Sequence, residues 1–311
     1  MRVDSYRQLP VSPAGKKGWP WDAAVRRVPE KMPNRQPWPR ITVVTPAYNQ
    51  AQFLEETMRS VLMQGYPNLE YIVINDGATD NTEEVIRRYE SYLDFWTTQK
   101  NSGQPTAVNN GMARATGEIL GWINSDDLLL PRALERTALA RMNPEVKITC
   151  GFREVIDSDS RITWHWVHPR PNNEDLKRIC YVGQETVFWN REVWEKAGPL
   201  GAEWRFALDF DLWNKFMTAG YTFHLLPYFL GAFRLHPASK GSTMKTIRDA
   251  ELRQIYRTYL GRDVGERELQ AEIRYGKRMR LIDRLAKTRL FHWPWLADHM
   301  VDWAHLPASL P

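Results

Sequence analysis

From Ile41 to Ile123 the chain alternates short β-branched runs with amphipathic ones, and a polar loop follows each of the best-defined apolar runs. ITVVT, at residues 41–45, suits a strand buried on both faces. After PAYNQ, Phe53, Leu54, Met58, Val61 and Leu62 recur at spacings of three and four, which predicts a helix that Gly65 and Pro67 end. EYIVIN predicts a second buried strand. Thr79 or Asp80 then caps a helix with Val85, Ile86 and Tyr89 on its inward face. A third strand over Phe95–Thr98, a helix over residues 106–115 and a fourth strand over 118–123 continue the pattern. Such alternation predicts an α/β fold with a mainly parallel central sheet flanked by helices. Ligands of such sheets bind beyond the carboxyl ends of the strands, where the loops PAYN, NDGATD and NSDD converge.

The flanking segments differ in character. Residues 1–39 are rich in proline and hold Trp19, Trp21 and Trp38, so they predict an irregular arm pinned to the body by its tryptophans. Residues 145–190 read as β-like (VKITCGF, RITWHWV, ETVFW), followed by a helix over 210–219 and a short strand, YTFHLL. From Thr246 to about Leu290 the chain reads as helical and basic. The expected organisation is therefore an arm (1–39), a central domain (40–245) and a helical extension (246–311). No internal repeat is visible.

With 311 residues, 43% hydrophobic and 25% charged, the chain has the make-up of a soluble globular enzyme with a sizeable core. A net charge of +5 favours phosphates, nucleotides or an anionic membrane face, but the basic residues are too dispersed to indicate nucleic acid. Cys150 and Cys180, the only cysteines, make no disulfide framework and fit a reducing compartment. Neither a signal-peptide core nor a window approaching ~20 apolar residues occurs. The expectation is a cytoplasmic protein, soluble or peripheral at the inner face of the membrane.

Within GEILGWINSDDLLLP, Asp126 and Asp127 admit two readings. Adjacent carboxylates repel unless neutralised, which suits a divalent metal held against a diphosphate; alternatively the pair caps a helix starting near Pro131.

Taken in order, TPAYNQ, VINDGATDNT, NSGQPTAVNNGMARATGEI, NSDD, QETVFW, ALDFDLW and FRLHPASK resemble the motifs of glycosyltransferase family 2, whose nucleotide-binding α/β fold is called GT-A. The resemblance runs from about Arg40 to Thr243. It implies a metal-dependent, inverting transfer of a sugar from a nucleoside diphosphate donor, UDP-sugar favoured, to an acceptor hydroxyl. The setting it suggests is surface polysaccharide or glycolipid biosynthesis, with a glycan or lipid-linked acceptor. It implies that Asp76 accepts from the base N–H, although an Asx-turn on Gly77 is the alternative. Pro46, Ala47, Tyr48 and Asn49 would wall the base pocket, with Tyr48 either an aromatic face or plain packing. Asn109 would face the donor sugar or ribose, and Asp126 the ribose or a metal-bound water. Asp127 would ligate Mn²⁺ or Mg²⁺ directly, with His236 near the metal and diphosphate and Arg234 or Lys240 balancing phosphate charge.

Asp209 would be the catalytic base. Asp211 reads as an early-turn helix carboxylate and Trp213 as inward packing, which leaves Asp209 at the end of the preceding loop. Gln184, Glu185 and Trp189 would line the acceptor side, Trp189 either stacking on a sugar or sitting in the core. The sequence departs from the family pattern at Asn75, Asn101, Thr106 and Asn124, which stand where relatives often carry acids. Each removes negative charge near the donor pocket and leaves base and sugar preference open.

Two rivals share the architecture. A sugar-phosphate nucleotidyltransferase would carry a glycine-rich loop at the first strand, where PAYNQ stands instead. A non-catalytic carbohydrate-binding protein would be favoured by loss of Asp127 or Asp209, and both are present. Finally, LFHWPWLADHMVDW places Phe291, Trp293, Trp295 and Trp303 beside a basic helix, a composition suited to a membrane interface near a lipid-linked acceptor. Packing back on the body or on a second subunit is the alternative.

Overall fold

The computed structural model describes residues 9–24 and 28–287. The expected membrane-facing aromatics, Phe291, Trp293, Trp295 and Trp303, lie outside the described residues. The first half is a strand–helix alternation: β1 (Ile41–Ala47), α1 (Ala51–Leu62), β2 (Leu69–Asn75), α2 (Thr82–Tyr89), β3 (Phe95–Thr98), α3 (Gln104–Met112) and β4 (Ile119–Trp122). There follow β5 (Leu128–Leu129), α4 (Ala133–Ala140), β6 (Ile148–Ile156), β7 (Ile162–Trp166), α5 (Asn173–Leu176), β8 (Phe188–Asn190), α6 (Arg191–Ala197), α7 (Leu208–Thr218) and β9 (Phe223–Arg234). Four helices close the described chain: α8 (Lys240–Thr243), α9 (Lys245–Leu260), α10 (Glu266–Leu269) and α11 (Ala271–Lys287).

One sheet runs β3-β2-β1-β4-β8-β6-β9-β5, with β7 added on β6. It is parallel from β3 to β4. Beyond β4 it is mixed: β8 is antiparallel to both β4 and β6, whereas β9 is parallel to β6. Every position of β1 and β2 is buried, as expected of strands covered on both faces. Val44 and Ile72 join the core that holds Trp122, Trp189 and Trp213, while Ile41, Val43 and Tyr71 join the core under α1.

Two boundaries differ from expectation. α2 starts at Thr82 behind Asn81, which makes no side-chain cap. Asp80 instead accepts the Thr82 N–H at 3.0 Å and, through its other oxygen, the Ala51 N–H at 3.0 Å, so one carboxylate serves the starts of two helices. β9 continues to Arg234 because Pro227 and Tyr228 fall in a register shift opposite Gly151 and Phe152, where no ladder bond is demanded of proline.

Arg59 fastens the described part of the arm by donating to the carbonyls of Pro10, Pro20 and Trp21 and stacking 5.3 Å from the Trp21 ring. Trp19 Nε1 donates to Leu129 O at 2.8 Å. At the other end α11 lies against β7: the Tyr275 ring is 5.1 Å from Trp166 and its hydroxyl donates to Val167 O. No helix among the described residues is long and apolar enough to cross a membrane.

Candidate active site

A cleft of about 1370 Å³ opens at the carboxyl ends of β1, β2 and β4 and extends to β6, β7, α7, α9 and α11. Its first wall is made of the strand-end loops. Pro46, Ala47, Tyr48 and Asn49 line it, and Tyr48 is exposed. Asn49 has a positive φ of 50°, and its Oδ1 accepts from the Thr79 N–H at 2.7 Å, tying the first loop to the second. Asp76, 3% exposed, accepts from Gln99 Nε2, Ser102 N and Gly103 N at 2.8–3.0 Å. A carboxylate has about four acceptor positions, so one remains for a ligand.

The acidic loop after β4 divides its carboxylates. Asp127 is 1% exposed and points inward. Its oxygens accept from the Arg234 N–H at 2.9 Å and from Asn124 Nδ2 at 3.1 Å. Burial, with the neighbouring Asp126 and Glu185 carboxylates, holds its carboxyl well above the usual range. Asp126 faces the cleft, where its Oδ2 meets His236 Nε2 at 3.1 Å and Gln50 Nε2 at 3.0 Å. Its Oδ1 has no protein partner among the described residues. His236 is itself steadied by the Phe53 ring, 4.9 Å away.

Further along, Asp209 lies in the first turn of α7, its Oδ1 accepting from the Phe210 N–H at 2.8 Å. Burial raises its pKa above the usual carboxylate value, against the pull of Arg153 and Lys240. Glu185, 2% exposed, sits 3.7 Å from Arg153 and leaves Oε1 unpartnered; burial, and then the Asp209 charge, raise its pKa against Arg153. Lys240 donates to Arg205 O at 2.7 Å and contacts Gln104; burial lowers its pKa while Asp209 and Asp126 oppose the shift.

The family model for Glycosyl transferase family 2 matches residues 42–193, the stretch that builds the first wall, the acidic loop and Glu185. This stretch belongs to glycosyltransferase family 2. The chain is 30% identical over 190 residues to an uncharacterized glycosyltransferase of Rickettsia typhi, covering 58% of this chain and 59% of that one. It is 26% identical over 203 residues to TuaG, a Bacillus subtilis glycosyltransferase assigned by name to teichuronic acid biosynthesis, covering 63% and 79% respectively. In structure it is similar to the Pyrobaculum calidifontis mannosyltransferase PcManGT in complex with GDP-Man and Mn²⁺ (TM-score 0.55, 19% identity, 98% of this chain and 86% of that chain). It is also similar to S. aureus TarS 1-349 in complex with UDP-GlcNAc (TM-score 0.57, 15% identity, 74% and 69%). These likenesses show a GT-A fold for this chain, which spans under two thirds of the length of the Rickettsia typhi relative.

The cleft brings together Pro46, Tyr48, Asn49, Asp76, Asp126, Asp127, Gln184, Glu185, Asp209 and His236. Asn109 does not join them: its amide both donates to Leu200 O and accepts from Leu200 N, stapling α3 to the loop before α7. Trp189 is 0% exposed and stacked among Trp122, Trp194 and Trp213, so it is core and offers no face to a sugar. Asp127 is not the open carboxylate of its loop; the buried Arg234 N–H and Asn124 claim it, and Asp126 takes the exposed place. Arg234 has no guanidinium free for phosphate, since it spends its N–H groups on Asp126 O, Asp157 O, Ser160 Oγ and Glu56. Asp209 belongs to the helix rather than to the preceding loop, while Asp211 is turned away, bonded by the Tyr259 hydroxyl and Lys215.

Sequence reasoning missed two supporting residues. Gln50 holds Asp126 with its amide N–H and the Ser125 hydroxyl with its carbonyl. Glu251 in α9 accepts from the N–H groups of Arg205, Phe206 and Ala207, which lead into Asp209. Glu251 lies 42 residues beyond Asp209 in the chain (251 minus 209), and no local pattern links them.

Proposed function

We propose that this chain catalyses inverting transfer of a sugar from a nucleoside diphosphate donor, UDP-sugar favoured, to an acceptor hydroxyl in surface polysaccharide or glycolipid assembly. The observation that carries the reading is a single cleft lined by a base-pocket acid (Asp76), an open carboxylate–histidine pair (Asp126, His236) and a separate half-buried acid (Asp209). The donor complexes of PcManGT and TarS support the substrate class, and the TuaG likeness supports the polysaccharide setting.

In this proposal Asp76 uses its remaining acceptor position on the base, beside Tyr48 and Asn49. The Asp126–His236 pair fits a divalent cation that takes its other ligands from a diphosphate. Among the described residues no cluster of three or more His, Cys, Asp or Glu forms a protein-only cage, and Mg²⁺ or Mn²⁺ bound beside phosphates needs only one or two carboxylates. When bound, the cation would neutralise charge on the leaving diphosphate. Asp209 takes the acceptor proton: its Oδ1 is fixed by the Phe210 N–H, which leaves Oδ2 for the incoming hydroxyl. Desolvation raises its pKa, which makes it a stronger base than a solvated aspartate. Lys240 and Arg153 keep positive charge close to Asp209, and Arg153 close to Glu185.

The test is a donor panel of UDP-, GDP- and dTDP-sugars with Mn²⁺, scored by nucleoside diphosphate release. Asp126→Ala should lower donor affinity by at least about ten-fold, whereas Asp209→Asn should spare affinity and abolish transfer, a loss of roughly 10²–10⁴ in kcat. Full turnover by Asp209→Asn would refute the assignment of the base.

A further inference from the structure

Helix α11 presents a mixed stripe that runs out of the cleft. Ile273, Lys277 and Arg280 line the cleft, and Leu281 continues the same face one position on. Spacings of four, seven and eight residues put all four on one side of a helix. Ile273 is 37% and Leu281 58% exposed, two of the few large apolar side chains open to solvent among the described residues. Neither Lys277 nor Arg280 has a carboxylate partner among the described residues, and Arg280 stacks 4.8 Å from the Trp164 ring, which leaves its N–H edge unclaimed.

The opposite face of α11 is what fixes this stripe in place. Tyr275 and Met279 face the body, and Gly276 allows the close approach: a Cβ there would stand 3.2 Å from the Trp166 ring. An exposed stripe of two cations, neither paired with a carboxylate among the described residues, set between two aliphatic side chains complements a ligand that is anionic and apolar at once. A soluble neutral glycan would leave both features unused.

We infer that α11 and Trp164 form the acceptor-carrier subsite, which holds a lipid phosphate with the phosphate on Lys277 and Arg280 and the hydrocarbon along Ile273 and Leu281. This rests on the transferase reading, because it makes the stripe the acceptor end of that cleft.

The test uses the full chain and calorimetric titration of farnesyl phosphate below its micelle concentration, with farnesol and inorganic phosphate as separate arms, each with and without UDP and Mn²⁺. Farnesyl phosphate should bind, and each half-probe at least about ten-fold more weakly. The double variants Lys277→Gln/Arg280→Gln and Ile273→Ser/Leu281→Ser should each weaken farnesyl phosphate by about ten-fold or more, with UDP affinity and Tm unchanged. Unchanged affinity in either variant, or no binding of farnesyl phosphate, would overturn the subsite. Inorganic phosphate binding as tightly as farnesyl phosphate would also overturn it, in favour of a soluble anionic acceptor. Failure of UDP to bind would sink the transferase reading alone, since the titration without nucleotide still judges the stripe.

Discussion

Glu251 holds the backbone that leads into Asp209, the proposed base, and removing its charge separates a positioning role from simple fastening. The carboxylate accepts from Arg205 N at 2.8 Å, Phe206 N at 2.9 Å and Ala207 N at 2.8 Å, and Ala207 is the residue from which α7 and Asp209 start. A hydrogen bond to a charged group contributes about 1.5–3 kcal/mol. Arg205 is exposed and regains water, so Glu251→Ala should cost about 3–6 kcal/mol from the two inner bonds. At about 2–4 °C per kcal/mol this is a fall in Tm of roughly 6–24 °C. Glu251→Gln keeps one acceptor oxygen but turns an NH₂ toward the remaining N–H groups, so the loop must shift while the fold survives. Misplacement of a reacting group by about 1 Å costs on the order of 100-fold. Glu251→Gln should therefore lose kcat to about that extent, with UDP affinity within about two-fold of the unmodified chain. Stopped-flow turnover, UDP calorimetry and thermal melting on one preparation decide it. A kcat within about two-fold of the original, alongside a lowered Tm, would refute the positioning role.

Asp209→Asn carries a stability prediction besides its catalytic one. Because burial raises the folded-state pKa, stability of the unmodified chain falls as pH rises from the ordinary carboxylate value toward the raised one. The variant has no proton to lose there, so its Tm relative to the parent should rise as the pH is raised above the ordinary carboxylate value, and a flat difference would contradict the raised pKa. Gly231→Ala should destabilise by about 1–3 kcal/mol in denaturant melts, since the new Cβ meets Glu185 Cγ at 2.6 Å and Glu185 O at 3.0 Å; unchanged stability would mean that Glu185 moves freely. Asn109→Ala should cost about 1–3 kcal/mol through loss of the Leu200 staple and leave UDP affinity untouched. A ten-fold loss of UDP affinity would restore Asn109 to the donor side.

What could be read from the sequence was local. β1 and β2 were legible because β-branched runs without a polar face leave only a strand covered on both sides, and the three strand-end loops do converge on the cleft. β9 was shortened in the reading because Pro227 and Gly231 mimic a break, and only its pairing with β6 carries the strand across them. The exchange between Asp126 and Asp127 was illegible for a similar reason. Which of two adjacent carboxylates turns inward depends on Arg234, 107 residues away. Trp189 was ambiguous until its ring partners from β4, α6 and α7 were in place. The family motifs sit in contiguous loops and are visible in sequence, whereas Glu251 and Gln50 act through contacts that no spacing rule encodes.

The stretch matched by the family model ends at residue 193, yet Asp209, His236, Lys240, Glu251 and the α11 stripe all come later in the chain. On the proposed reading, nucleotide handling falls largely to the matched stretch and partner choice to the part of the chain that follows it, the two meeting across the cleft. A chimera that grafts another relative's C-terminal third onto this N-terminal portion should inherit this chain's nucleotide preference and the other's taste in alcohols, provided that Asp126 and Arg234 still find each other at the seam.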